Sequence, residues 1–118
     1  MKKKIIILGS TGSIGLTTFK IIDKKKDFEV FLLSAKNNYR LICKQITKYK
    51  PKYFIISNPA VFKKVNQKFK NKKTIILNSY DKISNKKKVD ITISAIPGIA
   101  GLSPTLIIMK FTKKLLLA

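Results

Sequence analysis

Lys3-Lys4-Ile5-Ile6-Ile7-Leu8-Gly9-Ser10-Thr11-Gly12-Ser13-Ile14-Gly15 is the stretch on which the reading of this chain turns. An apolar run enters a loop with glycines at 9, 12 and 15, and an apolar-periodic segment follows. A strand, a tight turn and a helix in that order make a cradle for a pyrophosphate. The first glycine permits the turn, the second admits the phosphates close to the backbone, and the third lets the helix pack on the strand. The helix N-terminus then offers N–H groups without partners and a partial positive charge. The spacing GxxGxxG departs from GxGxxG, with Thr11 where the middle glycine would stand. Leu16 and Thr17 after Gly15, in place of Lys and Ser/Thr, exclude a Walker A loop. Strand before, helix after and a second apolar strand at the expected distance favour a dinucleotide loop over a purely structural turn.

Beyond this stretch, short β-rich runs alternate with helical segments. Residues 13 to about 25 read as a helix with Ile14, Phe19, Ile21 and Ile22 as its candidate buried side. Residues 28–33 form an apolar strand suited to cover on both faces. A helix over 38–50 carries Leu41, Ile42, Ile46 and Tyr49 at helical spacing and stops at Pro51. Strand 53–56 precedes Asn58-Pro59, a cap and a first-turn proline for a helix bearing Val61, Phe62, Val65 and Phe69. Strands at 74–77 and 89–96 flank a polar, basic segment at 80–88, read as a turn or one helical turn. A helix from 102 or 103 to 110 leads to the start of a further strand at 114–117. This alternation predicts a Rossmann-like α/β fold: a doubly wound, mostly parallel sheet with helices on both faces, in one domain over residues 1–118. The chain stops inside an apolar strand pattern, which leads us to expect a truncated sequence.

The chain has 26 Lys+Arg against 5 Asp+Glu, a formal net charge of +21. Such an excess suits a polyanion binder. Arg40 is the only arginine, however, and Ile and Asn are also abundant, the pattern an AT-rich genome imposes on composition. The lysines fall in short clusters at apparent element ends, not on one face, and arginine is what a dedicated base reader would carry. Composition bias is therefore the preferred reading, with no specific nucleic-acid partner. No apolar run approaches the roughly 18–20 residues of a membrane span, so no membrane partner is expected, and no secretory signal is apparent. The single Cys43 fits a reducing, cytoplasmic setting and is expected to be buried on its helix. Without histidine and with one cysteine, a zinc site has almost no ligands.

Past the second strand stands Ser34-Ala35-Lys36-Asn37-Asn38, with no acid to hold a ribose 2′-hydroxyl. An ammonium among polar neighbours suits a 2′-phosphate, which favours NADP over NAD. The second glycine cluster, Ser94-Ala95-Ile96-Pro97-Gly98-Ile99-Ala100-Gly101-Leu102-Ser103-Pro104-Thr105, follows a strand and precedes a helix at the same sheet edge. It either lies along a cofactor or makes a compact turn. Asp23, Asp27, Glu29, Asp81 and Asp90 form no convincing acid–base pair, and no catalytic constellation is found.

These motifs together resemble the N-terminal, NADPH-binding domain of the 1-deoxy-D-xylulose 5-phosphate reductoisomerase family. ILGSTGSIG at 7–15 is similar to that family's nucleotide loop, and LSAKNN at 33–38 to its LSAGKN segment. AIPGIAGLSPTL at 95–106 resembles its AIxGxAGLxPTL signature, and KKLLLA at 113–118 the stretch before its Asn-Lys-Glu motif. The resemblance implies that Thr11, Gly12, Ser13 and Ile14 contact the cofactor's phosphates and ribose, with Lys36, Asn37 and Asn38 on the adenosine side. The family's Gly-Lys pair is Lys36-Asn37 here, so the lysine is displaced by one position. The resemblance further implies an NADPH-dependent oxidoreductase of the non-mevalonate isoprenoid pathway, homodimeric at full length. Such enzymes convert 1-deoxy-D-xylulose 5-phosphate to 2-C-methyl-D-erythritol 4-phosphate with Mg or Mn. The family's metal ligands lie beyond the matched motifs, so neither metal-binding nor catalytic residues are assigned to this chain, and the expectation is cofactor binding without turnover. The rival readings are a basic nucleic-acid-binding module and a relic of a decayed gene.

Overall fold

A computed structural model describes residues 2–83 and 88–118. Six strands, β1 (Lys3–Leu8), β2 (Phe28–Ala35), β3 (Tyr53–Ile56), β4 (Ile75–Leu77), β5 (Val89–Ser94) and β6 (Thr112–Leu117), form one sheet. Its order is β4-β3-β2-β1-β5-β6, and every pairing is parallel. Helices α1 (Ser13–Lys25), α2 (Tyr39–Tyr49) and α3 (Pro59–Lys68) connect the strands that step outward from β1 to β4, and α4 (Leu102–Ile108) connects β5 to β6. Right-handed crossovers put helices on one face while the order runs one way and on the other face once it reverses. The packing follows that rule. Phe19, Ile22, Ile42, Ile46, Val65 and Phe69 from α1, α2 and α3 pack with Ile5 and Ile7 in one cluster. Ile108 of α4 and Ile83 pack with Ile6 and Leu8 in the other. Cover on both faces explains the unbroken apolar run of β1.

Register holds one irregularity. Ile5 pairs with Val30 but Ile6 pairs with Leu32, leaving Phe31 as an extra residue. The bulge turns Phe31 and Leu32 to the same face, where both join the second cluster.

Several sequence expectations need correction. Ile14 and Ile21 of α1 are exposed; its buried side is Gly15, Thr18, Phe19 and Ile22. The i, i+3, i+4, i+7 stripe is set by Gly15, where the helix meets the loop, and Thr18 is accommodated because its hydroxyl donates to Ile14 O at 2.8 Å. β2 extends two residues beyond the expected end, and β6 begins two residues earlier than expected. α4 is shorter than expected because Met109–Phe111 tightens into a 3-10 turn. In the basic segment, Tyr80–Lys82 is a 3-10 turn, and residues 84–87 lie outside the described residues. Asn58 caps α3 as expected, accepting from the N–H groups of Ala60 and Val61 at 3.0 and 3.1 Å. Cys43 is buried.

The lysines are also placed differently. Most clusters of the described residues that look scattered along the sequence lie at one edge, because every helix-to-strand connection of a parallel sheet returns to the same, N-terminal edge; Lys63 and Lys64, within α3, are the exception.

Candidate nucleotide site at the C-terminal edge

β1 is flanked by β2 and β5, and the strand order reverses there, the place where open α/β sheets bind ligands beyond the strands' C-terminal ends. The loops that leave β1, β2 and β5 therefore meet at this crevice. Leu8 pairs with Ser34, so the 9–12 and 36–38 loops start side by side. Leu8 also pairs with Ser94, which places the 95–101 loop on the other flank.

The first loop is held from below by residues that sequence reasoning did not single out. The N–H groups of Gly9 and Ser10 both donate to Ser34 O, at 3.0 and 2.8 Å. Ser10 Oγ donates to Gln45 Oε1 at 2.7 Å, and Gln45 Nε2 donates back to Ser10 O at 2.9 Å. Gln45 is only 5% exposed, so α2 reaches under the loop with a fully engaged amide. The available signal was position 45 itself, polar yet on the same helical stripe as Ile42, Ile46 and Tyr49. Tyr80 lies over Ser34 from the opposite face; burial raises its hydroxyl pKa and the nearby Ser34 hydroxyl opposes the shift.

Two glycines of the first loop are required by the fold. Gly9 has φ +81°, and a Cβ on it would stand 3.1 Å from the backbone of Ala95. A Cβ on Gly15 would strike Gly9 O and come within 2.8 Å of Ser10 Cα. The first contact lays the 95–101 loop against the glycine loop, so that segment is more than a free-standing turn.

Gly12 is different. A Cβ there would meet only Gly9 O, at an ordinary 3.7 Å. Its φ is −80°, open to any residue. Nothing among the described residues demands a glycine at 12, and the position lies open to the outside. Gly12 is also the N-cap of α1, with no side-chain cap and no acid in the first turn. The first helical bond runs from Leu16 N–H to Gly12 O at 2.9 Å, leaving the N–H groups of Ser13, Ile14 and Gly15 ahead of the ladder. An uncapped positive helix end beside a position clear of side chain fits a phosphate.

Of the expected contact residues, Gly12, Ser13 and Ile14 are exposed and Thr11 is half-buried on the same turn. Lys36, Asn37 and Asn38 are exposed on the neighbouring turn. Lys36 O accepts from Asn58 N–H at 3.0 Å, which ties this turn to the start of α3. Neither ion pair of the described residues, Lys48–Asp23 or Lys113–Asp90, involves Lys36. Asn38 caps α2, its Oδ1 accepting from Leu41 N–H at 3.2 Å, so its amide nitrogen is the group free to face a ligand. With Gly12 to Ile14 and Lys36 to Asn38 all exposed, the site is an open ledge. Among the described residues no three His, Cys, Asp or Glu side chains gather to hold a metal, so no step is assigned to one here.

Sheet order, crossovers and glycine turn define a Rossmann-like α/β protein. The family model for 1-deoxy-D-xylulose 5-phosphate reductoisomerase matches residues 5–118, and the chain belongs to that family. It is 39% identical to the reductoisomerase of Pelagibacter ubique (strain HTCC1062) over 121 residues, covering 98% of this chain and 31% of the relative. For the Francisella tularensis subsp. novicida (strain U112) enzyme the identity is 40% over 118 residues, with 99% and 31% covered. A DOX-P reductoisomerase crystal structure in complex with magnesium superposes over 100% of this chain and 31% of its own, at TM-score 0.87 and 30% identity. The Zymomonas mobilis reductoisomerase in complex with NADPH does so over 100% and 32%, at TM-score 0.87 and 25% identity. The chain spans about a third of the length of these relatives.

Proposed function

We propose that residues 1–118 form the NADPH-binding domain of an enzyme with the family's reductoisomerase activity on 1-deoxy-D-xylulose 5-phosphate. The observation that carries this reading is Gly12, a glycine that nothing in the fold requires, at the uncapped N-terminus of α1. In this reading the N–H groups of Ser13 and Ile14 receive the pyrophosphate, and Thr11 closes the turn over it. Lys36, with Asn37 and Asn38, receives the adenosine end, where the ammonium attracts the 2′-phosphate. NADPH, when bound, supplies hydride; this chain's residues bind and orient it. The chain contributes binding, and the isomerisation, its divalent metal, the active dimer and a cytoplasmic setting are proposed for a longer enzyme.

The test is titration of the folded chain with NADPH and NADH, followed by fluorescence, beside the variant Gly12→Ala. NADPH binds more tightly than NADH to the parent chain. Gly12→Ala keeps the parent's circular dichroism, since its Cβ meets nothing closer than 3.7 Å, yet binds NADPH at least about 10-fold more weakly. Equal affinity of variant and parent would sink the proposal.

A further inference from the structure

We propose that the N-terminal edge of the sheet, opposite the glycine loop, binds the phosphate backbone of a nucleic acid without reading its sequence. In sheet order from β4 to β6, the entries to the six strands present Lys73, Lys52, Lys26, Lys2, Lys88 and Lys110, all exposed. Adjacent strands lie about 4.8 Å apart, so this row extends over about 24 Å. A DNA duplex carries one charge per about 1.7 Å of its axis, a line of anions well matched to such a row.

Four of the row, Lys73, Lys52, Lys26 and Lys2, border a continuous furrow. Its central groove, about 420 Å3, is lined by Lys4, Lys50, Lys52 and Lys73. It shares Lys50 and Lys73 with a groove of about 430 Å3 that adds Lys72. On the other side it shares Glu29 and Tyr49 with a groove of about 570 Å3 that adds Lys2, Lys26 and Lys48. Asp23 and Glu29 are the furrow's carboxylates, and Asp23 is already held by Lys48 Nζ and Tyr49 OH, both at 2.9 Å. The ammonium groups of Lys4 and Lys52 stand 5.5 and 5.8 Å from the Phe31 ring centre, which orders both heads over the furrow wall.

The same residues decide the kind of partner. Phe31, Ile46 and Phe69, which line the furrow, are buried. The furrow's other rings, Phe28 and Tyr49, are half-buried, and Tyr49 is stacked on Phe19 at 4.3 Å, so no fully exposed ring is offered to a base and no protruding apolar anchor to a lipid surface. Lysine makes point contacts with phosphate and lacks the planar fork that reads guanine. Backbone binding alone follows. The furrow shares no residue with the nucleotide ledge, so this inference stands apart from the NADPH reading.

The test is fluorescence anisotropy of a labelled 20-bp DNA duplex across 50–200 mM salt. Neutralisation of about six phosphates gives a log–log salt slope of about −5, a loss of about 10³-fold over that range. Lys52→Glu/Lys72→Glu/Lys73→Glu weakens binding at least about 10-fold at 50 mM and roughly halves the slope. Lys20→Glu/Lys44→Glu/Lys63→Glu, an equal change of net charge outside the furrow's basic row, changes affinity less than about 3-fold. The glutamine versions of both triples repeat the comparison where a glutamate variant fails to fold. Equal losses in the two triples would reduce the binding to bulk charge and overturn the proposal. So would competition by saturating NADPH, a scrambled duplex binding with a different affinity, or capture by anionic phosphatidylserine vesicles with no affinity for the duplex.

Discussion

At the scale of single residues, Gln45 is the most instructive side chain. Its amide makes two buried hydrogen bonds to Ser10, so α2 holds the loop that follows β1. Gln45→Leu leaves the Ser10 hydroxyl and carbonyl without partners, at about 1–3 kcal/mol of stability. Urea unfolding reads that loss, and NADPH titration reads a weaker affinity from the loosened loop. Adding Ser10→Ala to Gln45→Leu recovers part of the stability, because one of the two orphaned groups is gone; a double-mutant cycle measures the coupling. Full additivity of the two changes would show that the pair is not a brace. Single residues are legible in the sequence where the signal is local. Asn58-Pro59 announces a cap from two adjacent letters, and Cys43 sits beside Ile42 and one turn before Ile46 on a helix. Ile14 and Ile21 are not legible, because hydrophobicity marks what a side chain tolerates and the packing at Gly15 decides which stripe turns inward.

Among the elements, the C-termini of α1 and α2 carry an unusual pair. Lys26 and Lys50 adopt φ of +58° and +47°, the left-handed cap conformation that glycine or asparagine ordinarily occupies. A Cβ there is unfavourable by about 1–2 kcal/mol. Lys26→Gly therefore stabilises the fold by about 1 kcal/mol, a rise in Tm of a few degrees for a domain of this size. Lys24→Ala removes the same charge from a helical backbone position, and a smaller rise in that variant separates the conformational gain from relief of repulsion. The elements themselves were largely legible: strand–helix alternation and crossover handedness lead to a parallel sheet without further information. The strand order and the bulge at Phe31 were not, since both depend on which strand neighbours which, and no local pattern records that.

Taken as a whole, the molecule is a cation with a direction. Self-repulsion at +21 opposes compaction, so raising NaCl from about 20 to about 300 mM raises Tm. The few carboxylates act the other way. Asp23 is held below its ordinary 3.8 first by the hydrogen bond from Lys48, and Asp90 first by the Lys4 backbone N–H. A carboxyl lowered in the folded state stabilises above its unfolded pKa and loses that contribution as pH falls through the folded value. The melting temperature therefore declines below about pH 4, and Asp23→Asn and Asp90→Asn flatten the decline. The charge was legible in the sequence as an amount. Its geometry was not, because clusters separated by dozens of residues meet only when a parallel sheet gathers its incoming connections at one end.

That gathering makes the protein self-orienting. Laid on a sulfonate resin or any other negatively charged support, it settles on its lysine edge and turns the ledge at Gly12 toward the bulk solution. An adsorbed monolayer would present its nucleotide loops outward without a tag or a linker.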